Sequence, residues 1–423
     1  MLATEALKAS ETLAKHFRQG GTFCVRLPPL PAVAHLALDL AAELERPVVW
    51  VTDGPRTLDI FFQDLCTLRG IQKPGTSNQP PLYYPPWESL PGHGAMPSAD
   101  LTGDRLAVLA QLARGATPPI LATCVQALMQ RTLAPSLFLE QSIVIRRGSN
   151  AERDSLMERL VHAGYSVQAE VQAKGQAAVR GGIVDAWPPT SPWPVRIELF
   201  GDVVESLRMF DPALQTSLDD QDEAHIGPAC EAPDQLTATL FDYLFPSTLD
   251  TRHVPLLAWV DEDGIRQHAE LYGEVIREAH AEAVTVPFAS VFPSTPGTRP
   301  ALHFAVTGEV ELPYEPVEAL PSLARSALQP DLVEKTRSEF LAGVFEKARA
   351  GWDARVCFAT TGARERFTES AGAHAQLVHV HVGALSEGFS CPARKLLVLA
   401  ESDLYGRRKE HRGRYDLHGA KSD

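Results

Sequence analysis

The chain has 423 residues, of which 44% are hydrophobic and 22% are charged, and its formal net charge at pH 7 is −14. This length exceeds what one hydrophobic core usually supports, so we expect three or four domains in an ordinary globular protein. Duplex nucleic acid is held by lysines and arginines that neutralise its phosphates. The charge therefore excludes nucleic-acid binding by the whole surface, while a local basic patch stays possible.

Six cysteines lie far apart along the chain, with no C-x-x-C spacing among them. This pattern predicts reduced thiols, and neither a disulfide framework nor a zinc site. No apolar run reaches membrane-spanning length, and the amino terminus carries Glu5 in place of a basic leader. We expect a cytoplasmic protein that does not bind membranes.

Helices and strands alternate through the first part of the chain. The predicted helices are 3–18, 32–44, 55–68, 100–112 and 125–129, and the predicted strands are 22–27, 47–52 and 120–123. Strand, turn and helix in this repeated order are typical of a parallel α/β domain.

The first strand-to-helix turn lacks a phosphate-binding loop. A G-x-x-x-x-G-K-[ST] sequence at this place would surround phosphates with backbone N–H groups and place a lysine on them. The chain has LPPLPA at residues 27–32 instead, with no glycine and no lysine. Pro28, Pro29 and Pro31 have no N–H to donate. We predict that this turn does not hold a nucleotide.

Tyr83 and Tyr84 precede the sequence PPWESLP and a helix that contains Asp104-Arg105-Leu106. Neighbouring tyrosines could stack on nucleic-acid bases. A long hairpin with interleaved aromatic and cationic side chains is lacking here, so packed aromatic side chains are favoured.

A small antiparallel sheet is predicted between Lys174 and Pro212. Four runs rich in β-branched residues, 176–179, 183–187, 195–200 and 203–210, alternate with glycine and proline. Gly201-Asp202 favours a tight hairpin turn that places Phe200 opposite Val203.

That hairpin predicts a register and two faces. One face would carry Val195, Ile197, Leu199, Val204 and Ser206, and the other Arg196, Glu198, Glu205 and Leu207. Glu198 and Glu205 would be directly opposed, which destabilises a strand pair. A cation or a binding partner would compensate them, and Arg180 is the nearest cation in the predicted sheet. The alternative is a solvated polar face with ordinary surface charges.

Two acidic stretches follow. Residues 217–234 carry six carboxylates and no lysine or arginine, which predicts a solvated linker. The strand at 255–260 ends in Asp261-Glu262-Asp263, an arrangement with which helicase-like ATPases hold Mg²⁺, although acidic residues are also common at turns. Because the phosphate loop is missing, Asp261 and Glu262 indicate a degenerate nucleotide site.

The last part of the chain again predicts alternating elements. Helices are expected at 236–245, 264–281, 332–350 and 363–371, and strands at 301–306, 355–360, 377–382 and 395–401. His374, His379 and His381 lie close in sequence without a further convergent ligand, so packed or surface histidines are favoured over a metal site. The basic residues beyond 406 predict a disordered end or a nucleic-acid contact.

The sequences AVRGGIVD (178–185), VRIELFGD (195–202) and ESLRMFD (205–211) resemble the second domain that UvrB shares with the transcription-repair coupling factor (Mfd) family. In that family this domain binds UvrA. The resemblance implies that Arg180, Arg196 and Glu198 contact UvrA, where bidentate Arg–carboxylate pairs would add geometric selectivity. Residues 83–91 and 401–406 also resemble the coupling factor.

The resemblance implies an α/β fold: a helicase-like (RecA-like) parallel-sheet domain with a degenerate nucleotide site, interrupted by a small antiparallel α+β UvrA-binding domain and followed by a small α/β domain. The expected boundaries are 1–139 and 231–312 for the interrupted domain, 140–230 for the insertion, 313–406 for the third domain and 407–423 for a basic tail or linker.

The expected function is that of a non-catalytic adaptor that recruits UvrA in transcription-coupled nucleotide excision repair. The alternative is the amino-terminal fragment of an ATP-dependent DNA translocase that displaces stalled RNA polymerase. In the family, RNA polymerase and double-stranded DNA bind to further domains, and ATP and Mg²⁺ bind to the motor. We therefore expect no cofactor, no metal and no catalytic residue in this chain.

Overall fold

A computed structural model describes Leu13 and residues 22–44, 46–71, 79–90, 97–246, 254–292, 301–308, 310–317 and 330–406. The predicted helix at 3–18, apart from Leu13, and the basic residues beyond 406 lie outside this part.

The described strands are β1 (Thr22–Arg26), β2 (Val48–Thr52), β3 (Leu82–Tyr84), β4 (Ile120–Cys124), β5 (Thr132–Leu133), β6 (Ile143–Arg146), β7 (Ser166–Val167), β8 (Gln176–Arg180), β9 (Ile183–Ala186), β10 (Val195–Phe200), β11 (Val203–Phe210), β12 (Ser217–Asp220), β13 (Glu223–Ile226), β14 (Leu236–Ala238), β15 (Leu256–Val260), β16 (Ala301–Ala305), β17 (Glu315–Pro316), β18 (Asp353–Phe358), β19 (His379–Val382), β20 (Phe389–Cys391) and β21 (Leu396–Ala400). The described α-helices are α1 (Leu30–Glu43), α2 (Pro55–Ile71), α3 (Ala99–Ala113), α4 (Val125–Met129), α5 (Pro135–Gln141), α6 (Arg153–His162), α7 (Leu240–Leu244), α8 (Glu262–Glu278), α9 (Phe288–Val291), α10 (Pro330–Arg349), α11 (Thr361–Ala371) and α12 (Glu401–Tyr405).

The first sheet is parallel, and within the described residues it has six strands in the order β1-β16-β15-β2-β4-β3. Every residue of β2, β4 and β15 is buried, because helices cover both faces of such a sheet. Four of its strands precede residue 143 and two follow residue 231. The chain therefore leaves this sheet and returns to it.

The second sheet has the order β12-β11-β10-β9-β8-β7 and is antiparallel except for the β7–β8 pair. One of its sides packs with α6 and the β6–β13 pair on a separate apolar core. The predicted linker at 217–234 is wrong in its first half, which forms β12 and β13. The cause is visible in β13, where Ala224 and Ile226 alternate with polar residues and point into the core.

The third sheet is mixed, in the order β17-β20-β21-β18-β19 within the described residues, and packs against α10 and α11. It contacts the helices of the parallel sheet through polar groups. The Asp64 carboxylate on α2 accepts hydrogen bonds from the Ser386 backbone N–H at 2.7 Å and from its hydroxyl at 2.6 Å. Asp39 on α1 pairs with Arg394 at 2.5 Å. The three sheets confirm the predicted fold class, while the predicted domain boundaries stay predictions.

A buried ion pair joins the chain that leaves the second sheet to the parallel sheet. Arg105 on α3 and Glu231 have side-chain exposures of 0% and 2%. The Arg105 Nε and Nη2 groups donate to the two Glu231 oxygens at 2.6 and 3.2 Å. The predicted solvated linker is therefore also wrong at Glu231, because an arginine 126 residues earlier in the chain withdraws this carboxylate from water.

Further groups around this pair form hydrogen bonds with it. Trp87 Nε1 and the Thr132 hydroxyl donate to Glu231 at 3.1 and 2.5 Å. Arg105 Nη1 donates to the Pro85 carbonyl at 2.9 Å, and the guanidinium lies between the Tyr84 and Trp87 rings, 4.5 and 4.3 Å from their centroids. The preference for packed over base-stacking tyrosines is confirmed for Tyr84, which is fully buried.

No described helix is both long and apolar enough to cross a membrane.

Replacing Arg105 with methionine leaves the Glu231 carboxylate buried and unpaired. We expect the free energy of unfolding to fall by about 3–5 kcal/mol, measured by urea denaturation. Arg114→Met, at the exposed end of the same helix, is the matched control and is expected to change it by less than about 0.5 kcal/mol. Equal unfolding curves for the two variants would contradict the role of the pair.

His35 on α1 predicts a pH dependence. Burial lowers its pKa to about 4, against the opposing effect of Asp39, whereas the unfolded chain titrates near 6.5. The unfolded state therefore binds the proton first as the pH falls. The contribution of neutral His35 to the free energy of unfolding is complete above pH 6.5. We expect it to fall by about 3 kcal/mol between pH 6.5 and pH 4. Urea denaturation of His35→Gln should lack this loss, while the exposed His162→Gln should retain it.

Candidate functional site

Five charged residues lie on the side of the second sheet that points away from its apolar core. They belong to β8, β9, β10 and β11, and we call them the charged face: Arg180, Asp185, Arg196, Glu198 and Arg208. The residues that alternate with them, such as Val184 and Ile197, are fully buried in the core. The structure thus brings the three predicted binding residues onto one side of one sheet.

The predicted register of the β10–β11 hairpin is correct only at the turn. Phe200 pairs with Val203 and Leu199 with Val204, but Glu198 then pairs with Ser206. A β-bulge at Glu205 adds one residue to β11, and such an insertion shifts the later residues to the opposite face. The predicted faces of Ser206 and Leu207 are therefore wrong. Leu207 enters the core, and Ser206 joins the charged face.

The bulge also removes the predicted repulsion between Glu198 and Glu205. Glu198 accepts a hydrogen bond from the Ser206 hydroxyl at 2.6 Å and pairs with Arg208 on β11. The cation that compensates Glu198 is thus Arg208, and the prediction of Arg180 for this place is wrong. Glu205 is exposed, so that its charge is left in water.

Asp185 links the two predicted arginines. Its carboxylate accepts two hydrogen bonds of 2.8 Å from Nε and Nη2 of Arg196, which faces it across the β9–β10 pair. Arg180 Nη2 lies 3.7 Å from the same carboxylate and Arg180 Nη1 lies 3.8 Å from Glu170. The hydrogen bond to Asp185 is the main cause that raises the pKa of Arg196, against its partial burial.

An apolar tip extends the charged face. Phe200 follows Glu198 on the same side of β10 and is 79% exposed, the highest value among the large hydrophobic residues of the described chain. Its cross-strand neighbour Val203 is 43% exposed. Isolated exposed apolar residues are ordinary, but a phenylalanine beside arginines is typical of binding surfaces.

The predicted degenerate nucleotide site lies at one edge of the parallel sheet. The proline turn follows β1, and Asp261 and Glu262 follow β15, so that both lie at the carboxyl end of parallel strands with β16 between them. Pro28 and Pro29 are half-buried and Pro31 is buried. The chain after β16 approaches the end of β1 so closely that a Cβ at Gly308 would lie 2.1 Å from the Val25 carbonyl carbon.

The polar groups at this edge bind one another. The N–H groups of Arg26 and Leu27 donate to Val310 and Ala305 carbonyls at 2.8 and 3.0 Å, and those of Ala32 and Val33 donate to Pro29. Asp261 caps α8 by accepting from the Gly264 N–H at 3.2 Å.

Glu262 is held by two partners, Arg266 at 2.6 Å and His303 at 2.7 Å. Burial raises its pKa, but these hydrogen bonds outweigh burial and lower it overall. The carboxylate is therefore a charged partner within the fold.

Two residues of the charged face, Asp185 and Arg208, and the exposed Phe200 at its end were not among the predicted binding residues. Asp185 carried a signal, since it alternates with the apolar residues Val184 and Ala186 and must point to the side of Arg196. Arg208 gave no such signal, because its face depends on the bulge.

Residues 143–231 match the family model of the UvrB interaction domain. The chain is homologous to the amino-terminal region of transcription-repair coupling factors. The UvrB interaction domain contains the whole second sheet, the charged face and, as its last residue, Glu231. The predicted resemblance is thereby confirmed.

Curated relatives agree with this assignment. The chain is 34% identical to the transcription-repair-coupling factor of Myxococcus xanthus over 201 residues, which are 47% of this chain and 17% of that protein. It is 34% identical to that of Bacillus subtilis (strain 168) over 193 residues, or 45% of this chain and 16% of the relative. The corresponding values for Escherichia coli (strain K12) are 33%, 173 residues, 40% and 15%. The matched residues thus span about a sixth of these relatives.

Proposed function

We propose that this chain recruits UvrA to transcription-coupled nucleotide excision repair through the charged face of its UvrB interaction domain. The observation that carries the proposal is the position of Arg180, Arg196 and Glu198, the residues implied by the family resemblance, on one accessible side of the sheet. A sheet side that only closed a core would not carry five charges.

The groups on this face are suited to an acidic partner surface with an apolar pocket. Arg180 has a side-chain exposure of 48%, and its ion-pair distances of 3.7 and 3.8 Å are longer than hydrogen bonds. Arg196 uses Nε and Nη2 within the protein, so that its Nη1 group can donate to a partner. Phe200 would supply the apolar anchor next to them.

We also propose that the chain itself does not hydrolyse ATP. Its support is the proline turn, together with the closed hydrogen bonding at the end of β1. Phosphoryl transfer depends on donors and a metal ion that position the phosphates. Here Pro28, Pro29 and Pro31 have no N–H group, and the N–H groups of Arg26, Leu27, Ala32 and Val33 donate to carbonyls of the protein itself.

A second candidate function is that of the amino-terminal part of an ATP-dependent DNA translocase. The observation that favours it is the length of the relatives, of which the matched residues span 15–17% in the three compared. Contacts with RNA polymerase and double-stranded DNA would then belong to other parts of such a protein, while the recruitment of UvrA would remain with this chain.

We expect Arg196→Ala and Glu198→Ala each to weaken binding of purified UvrA by about 2–5 kcal/mol, because each leaves a charged interface partner unpaired. Phe200→Ala should weaken it by about 2 kcal/mol if this residue is an anchor. Calorimetric titration of UvrA into the 423-residue chain measures these changes.

Arg159→Ala and Glu158→Ala are the matched controls. Both residues are exposed on α6, which packs on the opposite side of the sheet, so that UvrA affinity should stay within a factor of two. Unchanged affinity in the charged-face variants, or equal losses in the controls, would exclude the charged face as the binding site.

The pure chain should release no phosphate from ATP in the presence of Mg²⁺ and double-stranded DNA. The physical reason is that three prolines in the turn offer no N–H group and that the N–H groups of Arg26, Leu27, Ala32 and Val33 already donate to carbonyls of the protein. A phosphate-release assay with Glu262→Gln as the comparison checks this, because turnover that this variant abolishes would show a working site at the edge of the parallel sheet.

A further inference from the structure

Asp185 lies beneath the two arginines of the charged face and is withdrawn from solvent. Its side chain is 2% exposed, whereas those of Arg196 and Arg180 are 13% and 48% exposed. A carboxylate this deeply buried cannot reach a partner protein. Its possible contribution to binding is therefore through the side chains that it holds.

Arg196 is held in one orientation by three groups. Asp185 accepts from its Nε and Nη2 at 2.8 Å each, and Gln215 Oε1 accepts from Nη2 at 2.8 Å. The guanidinium lies 4.1 Å from the centroid of the buried Phe210 ring. These contacts fix the plane of the guanidinium and leave Nη1 as its one nitrogen without a hydrogen bond within the described structure.

Gln215 is itself fixed. It lies in the turn between β11 and β12, with a positive φ of 56°, and its side-chain amide donates to the Pro212 carbonyl at 2.9 Å. Asp211 closes this turn by accepting from the backbone N–H groups of Ala213 and Leu214 at 2.8 and 3.0 Å. The support for Arg196 thus comes from a rigid turn on one side and from Asp185 on the other.

We infer that Asp185 is a positioning residue, which sets the spacing and orientation of Arg180 and Arg196 so that both can meet carboxylates of the partner. The inference rests on the proposed recruitment of UvrA. Long arginine side chains lose conformational freedom when they bind, and a carboxylate that has already ordered them reduces this cost. Its negative charge also offsets the repulsion between the two neighbouring guanidinium groups.

A competing role for Asp185 predicts the opposite change in affinity. As an internal counterion, Asp185 would compete with the partner for both arginines, and its removal would strengthen binding. The sign of the change in affinity therefore decides between positioning and competition.

The experiment is titration of UvrA into the full 423-residue chain carrying Asp185→Asn, which keeps the shape of the side chain and removes its charge. We expect affinity to fall at least tenfold, mainly through faster dissociation. Asp154→Asn is the matched control, because Asp154 also pairs with an arginine, Arg153 at 2.8 Å, but lies on α6 at the other side of the sheet. Its affinity should not change.

A mutant cycle separates positioning from general damage. If Asp185 acts through Arg180 and Arg196, Asp185→Asn should add less than a factor of three to the loss already caused by Arg180→Ala and Arg196→Ala together. Losses that multiply in the triple variant would overturn the inference. Should Asp185→Asn fail to fold, Gln215→Ala takes its place, since it removes one support of Arg196 from an exposed turn, and unchanged affinity in that variant would overturn the inference.

Failure of the inference and failure of the proposed function give different results. Wild-type binding with unchanged or tighter binding by Asp185→Asn would refute positioning and leave recruitment of UvrA intact. An absence of wild-type binding would refute the recruitment itself and the inference with it.

Discussion

The ion pair between Arg105 and Glu231 is the interaction on which the arrangement of this protein depends. Burying two charges costs several kcal/mol for each ion, and the cost is recovered only when every donor and acceptor is satisfied. Here Arg105 lies between two aromatic rings and donates to a backbone carbonyl as well as to Glu231. Glu231 accepts further hydrogen bonds from Trp87 and Thr132, so that both ions meet this condition. Glu231 is the last residue of the UvrB interaction domain, and Arg105 belongs to a helix of the parallel sheet. The pair therefore fixes the point at which the inserted domain returns to its host.

The charged face uses the same chemistry with a different result. Asp185 and Arg196 form a bidentate pair as Glu231 and Arg105 do, but it lies at the surface of a sheet and not between two domains. Arg105 makes hydrogen bonds with all three of its nitrogens, whereas Arg196 keeps one without a partner within the described residues. A fully satisfied pair has no donor left for a partner protein. A partly satisfied pair retains a donor, which is the physical basis for proposing that the second pair binds a partner and the first has a structural role.

The edge of the parallel sheet combines a complete core with polar groups that bind one another. The strands and helices are retained and their core is complete, because burial of β2, β4 and β15 needs only apolar side chains. Binding of a nucleotide at such an edge would depend on a few free N–H and carboxylate groups. Proline stands at three positions of the turn, and Asp261 and Glu262 have partners within the protein, without any disturbance of the sheet. The polar groups of the edge can therefore vary while the sheet is kept.

The sequence by itself determined most of the elements, the parallel α/β character of the first sheet, the proline turn and the outward position of Arg196 and Glu198, since each follows from local periodicity or from the chemistry of one residue type. Only the tertiary structure decided which charges meet. One extra residue at Glu205 changed the cross-strand partner of Glu198, and a bulge leaves no clear mark in a run of strand-forming residues. Glu231 stands among other acidic residues in a stretch that resembles a solvated linker, yet it is buried in an ion pair with an arginine far away in sequence. Local patterns fix where side chains point, whereas ion pairing depends on groups that only the folded chain brings together.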